Sequence, residues 1–246
     1  MLNSRLQVVL RVLCLIAGIL GVVGCDTGVF TDGDGNVYTT IRLGTQVWTV
    51  ENLRTTSYIC GTPIPFVENS DEWTGLGTPA LCFYENTKNQ DTIEKYGALY
   101  NWYVLAPENP LKIAPKGWRV PTDKDWNILE TFLSENGYNW DRSFSGNKVA
   151  KAIAAQTDWN ESDVNGAIGN SDGRNNRSRF SAYPGGYRFD NGLFYHLGNR
   201  TYWWTATEYI ISHAFNRNID HNFDDLSRLS DSKRLGFSVR LVSDVQ

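Results

Sequence analysis

The chain has 246 residues, enough for one large domain or two small ones, and carries a formal net charge of −4. That balance, without any clustered basic stripe, excludes a nucleic-acid partner. Nine Trp, twelve Tyr and eleven Phe stand against a single Met. Such a chain has large rigid side chains for an irregular core or a recognition surface.

The first 24 residues read as an export signal. Arg5 and Arg11 give a positive start, and Val12 to Val23 form an apolar run too short to span a bilayer comfortably. The run ends at Val22-Val23-Gly24-Cys25, which resembles a bacterial lipobox, with Cys25 as the lipidated N-terminus of the mature protein. The alternative is an ordinary secretory signal with a coincidental cysteine. Removing residues 1–24 takes away two arginines and no acidic residue, leaving a net charge of −6. Cys14 leaves with the signal and Cys25 carries lipid, so Cys60 and Cys82 remain in the exported part. In an oxidising compartment a disulfide between them is expected over two free thiols, and closing such a loop stabilises by about 3 kcal/mol. Zinc is disfavoured by the missing CxxC spacing and the presence of only three His.

Residues 25–30 read as a short tether, and Asp32-Gly33-Asp34-Gly35-Asn36 as a turn rather than a calcium loop, since the EF-hand ligand spacing and distal Glu are missing. Val37 to Leu43 and Gln46 to Val50 form a hairpin pattern around Gly44-Thr45. Residues 57–95 are irregular, and Tyr96 to Ala106 is a helix candidate ended by Pro107 and Pro110. Trp118 and Val120 make a brief strand. Thr122 with Asp125 then forms a capping-box pattern, and Trp126, Leu129, Phe132 and Leu133 recur at helical spacing up to Gly137. A third helix is expected over Asn147 to Ala155.

Residues 156–179 form a long polar loop, and loops of this length are usually functional or disordered. Asp158, Asp163 and Asp172, with Asn160, Glu161 and Asn165, are weak calcium candidates; solvated turns explain them equally well. Beyond it the pattern is β: Phe180 to Tyr183, Gly186 to Phe189, Phe194 to Leu197 and Tyr202 to Thr205, with turns at Pro184-Gly185, Asp190-Asn191-Gly192 and Gly198-Asn199. Residues 208–235 look less regular, and Gly236 to Val242 reads as a closing strand. Trp203 and Trp204 should face opposite sides of their strand, one packed inward and the other available for presentation.

Eight stretches occur in a fixed order: Gly35-Asn36-Val37-Tyr38, Gly44-Thr45-Gln46-Val47-Trp48, Glu51-Asn52-Leu53-Arg54, Tyr96-Gly97-Ala98-Leu99-Tyr100-Asn101-Trp102, Gly117-Trp118-Arg119-Val120-Pro121-Thr122, Pro184-Gly185-Gly186-Tyr187-Arg188, Trp203-Trp204 and Gly236-Phe237-Ser238-Val239-Arg240. Over about residues 30–244 the chain resembles the Fibrobacter succinogenes major paralogous domain of exported bacterial lipoproteins. That family is similar in turn to the C-type-lectin-like fold shared with formylglycine-generating enzymes. The resemblance implies an α+β domain over residues 31–246, two or three helices packed on a small twisted antiparallel sheet with long loops, its terminal strands close together.

The resemblance also tests chemistry. Formylglycine-generating enzymes bind copper through paired cysteines in the C-terminal half, and this chain has no cysteine after Cys82. His196, His213 and His221 come with no GxSxG nucleophile motif, so no catalytic residue and no cofactor is expected. Around Tyr202-Trp203-Trp204 the EPN-, QPD- and WND-like calcium motifs of sugar-binding C-type lectins are missing. The polar stretch 206–235, framed by Tyr202-Trp203-Trp204 and the closing strand, resembles the variable region of diversified C-type-lectin-like proteins, though an ordinary surface loop explains it as well. The expectation is a lipid-anchored envelope protein, at the outer membrane or cell surface, that binds an unknown protein or glycan through Trp204, Tyr209, His213, Phe215, Arg217 and His221. A degenerate enzyme of the formylglycine-generating type and a fimbria-like structural component are the alternatives.

Overall fold

The computed structural model describes residues 27–245 except Ser171; the signal segment and Cys25 lie outside the described residues. Three strands open the chain, β1 (Thr27–Thr31), β2 (Val37–Leu43) and β3 (Gln46–Thr49), so most of the expected tether is already sheet. Their turn is built as its composition suggests: Asp32 Oδ1 accepts from the Asp34 and Asn36 amides at 3.0 and 2.9 Å, and Asp32 Oδ2 accepts from Tyr38 Oη at 2.6 Å. Next come α1 (Ser70–Thr74), β4 (Leu81–Cys82), α2 (Gln90–Tyr96), β5 (Leu99–Tyr100), α3 (Asp123–Glu135) and α4 (Ala150–Ile153). The C-terminal third is β6 (Gly185–Arg188), β7 (Phe194–Leu197), β8 (Arg200–Ile210), β9 (His213–Asp220), β10 (Ser227–Ser232) and β11 (Val242–Asp244).

The expected C-type-lectin-like α+β fold is not what forms. The molecule is mostly β: two curled half-barrel sheets and, among the described residues, four small helices. One sheet has the order β1-β2-β3-β11, the other β10-β9-β8-β6-β7, and β4 pairs with β5 alone. The C-terminal strand joins the N-terminal sheet, where β11 pairs antiparallel with β3, but β2 and β3 separate it from β1.

Four local expectations fail. The helix expected at 96–106 ends where it was to begin: Gly97 takes φ 76°, and a Cβ there would lie 2.6 Å from Asn52 Cβ and 2.8 Å from Leu53 O. Leu99 and Tyr100 pair as strand instead, and Trp102–Val104 forms a 3-10 turn. The third helix shrinks to Ala150–Ile153, and Phe180 to Tyr183 contributes only a bridge from Ala182 to Ala154. Residues 208–235, expected to be less regular, complete β8 and supply β9 and β10, an antiparallel meander with register shifts between Trp204 and Ile210 in β8. Their few apolar residues pair with polar ones across the strands, as Leu229 with Asn216 and Phe215 with Ser230, so no sustained apolar period marks them as strands.

Helix α3 follows its sequence. The Thr122 side chain accepts from the Asp125 amide at 3.2 Å and the Asp125 carboxylate accepts from the Thr122 amide at 2.8 Å, closing the capping box. Arg119 Nη2 donates to Asp125 at 2.6 Å and to Asp244 at 2.8 Å, which fastens the helix start to β11. The buried side of α3 brings Trp126 against Trp48 at 4.8 Å and Trp203 at 5.4 Å, with Phe180 closing the group. A second core gathers Tyr100, Trp102, Trp204, Leu235 and Phe237. Both tryptophans of the pair are therefore fully buried, one in each core, and neither is presented outward.

Arg240 crosses between these parts. Buried to 1 % exposure, it donates through Nε to Asn52 Oδ1 at 3.1 Å, through Nη1 to the Thr49 and Phe180 carbonyls at 3.0 and 2.6 Å, and through Nη2 to the Ser181 carbonyl at 3.2 Å. Lysine cannot reproduce this planar fork. Arg240→Lys is expected to lower unfolding free energy by about 2–3 kcal/mol, read from urea denaturation; curves that superimpose would refute the role given to the fork.

Asp125 gives a pH signature. Burial alone would raise its carboxyl, but Arg119 and the amide and hydroxyl of Thr122 outweigh burial and hold its pKa below the usual value. The stabilisation this group adds is complete above the unfolded-state value near ~3.9 and fades as pH falls through the depressed folded value. The stability gap between wild type and Asp125→Asn should therefore be constant near neutrality and narrow below about pH 4. A gap that widens on acidification would contradict the assignment.

Candidate ligand-binding surface

Strands β8, β9 and β10 have two faces with different occupants. Trp203 pairs with Arg217 on the face turned to α3, whereas Tyr202 pairs with Asn218 and Trp204 with Asn216 on the other. On that second face β10 adds Leu229 opposite Asn216 and Asp231 opposite Ala214, and the β6–β7 hairpin adds Tyr187 opposite Tyr195.

The Trp204 end of the second face is closed by core residues, and the Tyr202 end opens to solvent through the hairpin. Tyr187 lies 4.9 Å from Tyr202, 6.0 Å from Tyr195 and 6.3 Å from Phe189 between ring centroids, and His196 stacks on it at 5.7 Å with an 11° tilt. Tyr202 stacks in turn on Phe237 at 4.7 Å, which anchors the platform in the core. Tyr195 is 37 % and Phe189 38 % exposed. Arg188 holds the hairpin from beneath, with Nε donating to the Gly192 carbonyl at 2.9 Å and Nη1 and Nη2 to the Val67 and Glu68 carbonyls at 2.6 and 2.9 Å. Gly186 lets the hairpin close: at φ 63°, a Cβ would stand 2.4 Å from the Tyr195 carbonyl oxygen.

Polar groups edge the platform. Arg200 Nη1 donates to Tyr202 Oη at 3.2 Å while Nε bonds Asp220. Asn216 Nδ2 donates to Asp231 at 2.9 Å, leaving Asn216 Oδ1 buried and unpartnered. Asn218, only 6 % exposed, has a buried Nδ2 with no protein acceptor. Burial and then the neighbouring Tyr202 push the Tyr187 phenol up to about 12, so it is neutral at physiological pH. Burial, helped by Arg200, lowers the pKa of His196.

The six residues expected to form one ligand surface do not share one. Trp204 is fully buried, with Nε1 donating to the Tyr100 carbonyl at 2.9 Å, and Arg217 is 1 % exposed on the opposite face. Arg217 bonds Asp123 at 3.0 Å and Glu130 at 3.2 Å, fixing β9 to α3. Phe215 stays with it, under the Arg228 guanidinium at 3.8 Å and against Tyr209 at 5.1 Å. Asp123 also takes Arg228 at 2.9 Å, so the charges of this cluster pair internally, while Arg217 Nε is buried without an acceptor. Next to it a cleft of about 370 Å³ is lined by Asn127, Glu130, Asn147, Arg217, Asp225 and Arg228 among others. His213 Nδ1 lies 2.8 Å from Ser212 Oγ, and His221 sits 3.0 Å from Asp220 without hydrogen-bond alignment. Buried arginines and tryptophans read as recognition residues in sequence because composition cannot show which strand face meets the core. Tyr187 and Tyr195 were legible as strand residues, and their alternation about the Asp190-Asn191-Gly192 turn is the signal that groups them.

The calcium candidates separate as well. Asp158 pairs with Lys95 at 3.1 Å, and Asp172 pairs with Lys151 at 3.0 Å and with Arg174 at 2.5 Å. Asp163 joins neither pair, and among the described residues no group of three or more His, Cys, Asp or Glu could hold a metal.

A family model described as the Fibrobacter succinogenes major domain matches residues 41–243, from within β2 to within β11. The chain belongs to that family. Searches of curated proteins and of solved structures returned no match. The Fibrobacter succinogenes major domain is a surface-associated paralogous domain, compatible with an envelope protein. No helix among the described residues is long and apolar enough to cross a membrane.

The expected disulfide is also corrected: Cys60 and Cys82 are both free, Cys60 at an exposed turn and Cys82 in β4 within a core cluster. Burial pushes the Cys82 thiol up to about 12, whereas the Thr62 hydroxyl, 3.2 Å from Cys60 Sγ, lowers that thiol's pKa. Alkylation followed by peptide mapping should modify Cys60 in the native protein and Cys82 only after unfolding. Recovery of a cross-linked Cys60–Cys82 peptide would reverse this correction.

Proposed function

We propose that this chain is a lipid-anchored envelope protein, held through Cys25, that binds a ligand on the Tyr187–Tyr195 face of its second sheet. Its task is binding or adhesion rather than catalysis. One observation carries the reading: Asn218, more than nine-tenths buried, has no hydrogen-bond partner where it pairs with Tyr202, the base of the aromatic platform. A buried amide left unpaired costs about 1–3 kcal/mol, a cost that a fold can shed by substitution unless a ligand supplies the partner. The platform is also stiff, since Arg188 and the Tyr202–Phe237 stack hold its base, and a rigid face loses little entropy on binding. The opposite face, by contrast, spends Arg217, Arg228 and Asp123 on one another.

A glycan and protein array probed with the purified full chain tests this. Truncating both platform rings, Tyr187→Ala with Tyr195→Ala, should lower the bound signal about tenfold or more at unchanged secondary structure. Tyr209→Ala on the opposite face should leave it intact. Binding that survives the double truncation would remove this face as the site.

A further inference from the structure

We infer that the loop over residues 156–179 forms a second binding site, which takes an organic cation bearing N–H donors, the ammonium or guanidinium of a lysine- or arginine-like group. The inference does not rest on the Tyr187–Tyr195 face and uses none of its residues.

The loop contains no helix or strand among its described residues, yet the fold ties it down. The Asn160 amide donates to the Gly198 carbonyl at 2.8 Å, the Gly169 amide to the His221 carbonyl at 2.8 Å and the Ser178 amide to the Ala152 carbonyl at 3.0 Å. A long loop held this way keeps one shape without regular structure, as functional loops do. It encloses a cavity of about 430 Å³, walled by Gln156, Trp159, Glu161, Gly169, Gly173 and Asn175 among others. That volume lies in the range of small-ligand pockets, about 300–1,000 Å³. The cavity is closed at Gly169, where a Cβ would stand 2.2 Å from the Asn160 carbonyl oxygen, and open at Gly173, where a Cβ would meet nothing within 4 Å.

Three groups in its wall point to one ligand class. Asn175 Nδ2 donates to the Ile168 and Ala155 carbonyls at 3.2 and 3.4 Å, which fixes the amide, because a flip would set its oxygen against two others. Asn175 Oδ1 is left as an acceptor, buried and with no donor among the described residues. Glu161 is exposed at the rim and pairs with no cation among the described residues. The bases that follow the loop's course, Lys151 and Arg174, are both held by Asp172, at 3.0 and 2.5 Å. No lysine or arginine stands among the described lining residues, so the cavity's one formal charge is negative and repels anions. The third group is Trp159. Its Nε1 donates to the Ala182 carbonyl at 3.2 Å, so what the indole offers a ligand is its π face.

Other ligand classes leave one of these groups unanswered. A metal ion does not match, since no group of three or more His, Cys, Asp or Glu gathers among the described residues. A quaternary ammonium suits the ring and the carboxylate but has no proton for Asn175 Oδ1. A hydroxyl or a peptide amide answers Asn175 and leaves the carboxylate and the ring unused. A protonated amine or a guanidinium answers all three at once, by cation–π contact, ion pair and hydrogen bond.

Two-dimensional NMR titration of the purified full chain, following the Trp159 indole and the amides of the loop, tests the class. Butylamine and butylguanidine present the cation alone; Nα-acetyl-lysine methylamide and Nα-acetyl-arginine methylamide present it on a peptide unit. The tighter pair tells a free amine from a protein side chain as the source. At least one of the four should shift these resonances to saturation. Glu161→Gln, at an exposed position that no hydrogen bond of the fold uses, should weaken binding about fivefold at unchanged melting temperature, and Trp159→Phe about threefold. Nε-acetylation of the lysine ligand should remove its binding; equal binding of the acetylated form overturns the requirement for a cation. Tetramethylammonium that binds as tightly as butylamine overturns the requirement for N–H donors. Saturable shifts that Glu161→Gln leaves unchanged, or none from any of the four ligands, remove the site.

Discussion

The structure depends on one shared oxygen. Asn52 Oδ1 accepts from Trp203 Nε1 at 2.9 Å and from Arg240 Nε at 3.1 Å, and the other end of the same amide donates to the Tyr96 carbonyl at 2.9 Å. Around this point meet the segment after β3, the end of α2, the middle strand of the second sheet and the C-terminal segment. A guanidinium buried among carbonyls would be costly if any of its donors were left unmet; four accepting oxygens and the Phe180 ring at 4.1 Å offset that cost. Glu51-Asn52 and Val239-Arg240 are thus not punctuation between elements but the joint that sets the two sheets against each other.

From that joint follows the two-sidedness of β8. A strand with cores on both faces has no solvent side over Trp203-Trp204, since α3 covers one side and the 235–239 segment the other. Only beyond this double cover, at the Tyr202 and hairpin end, does a face open. The surface therefore sits where the second core stops, and its aromatic residues continue that core outward from Phe237 through Tyr202 to Tyr187 and Tyr195. No separate loop has to be ordered to build it.

How much of this was legible depends on what each signal measures. The β2–β3 hairpin, the capping box of α3 and β7 are written in local chemistry: a Gly-Thr turn, a Thr–Asp pair three residues apart, an alternating run after Asn-Gly. Those elements form where expected. The architecture was inferred from family likeness, and the mostly β result differs because segments such as Leu99–Tyr100 take strand pairing that only distant partners confer. The free thiols mislead in the same way, since an even cysteine count says nothing about whether one lies in a core and the other on a turn. At the candidate site, the 206–235 stretch was correctly singled out as rich in polar groups, but the face its residues occupy is set by register, and register is a property of two strands rather than one.

Register also limits what this stretch can vary. In β9, Arg217 and Ile219 point at α3 and its core, and changing Arg217 would leave Glu130 without its cation and Asp123 with Arg228 alone. Asn216 and Asn218 point the other way and hold no partner that the fold needs, apart from the bond to Asp231. In β10 the same division puts Arg228 on the locked side and Leu229 and Asp231 on the open one. A fold that carries the proposed ligand face on a meander of this kind can alter specificity only at every second position. The face can thus change its polar groups while Asn52, Trp203 and Arg240 keep the frame, and the sequence between Trp204 and Gly236 is constrained to half the freedom that its loop-like composition suggests.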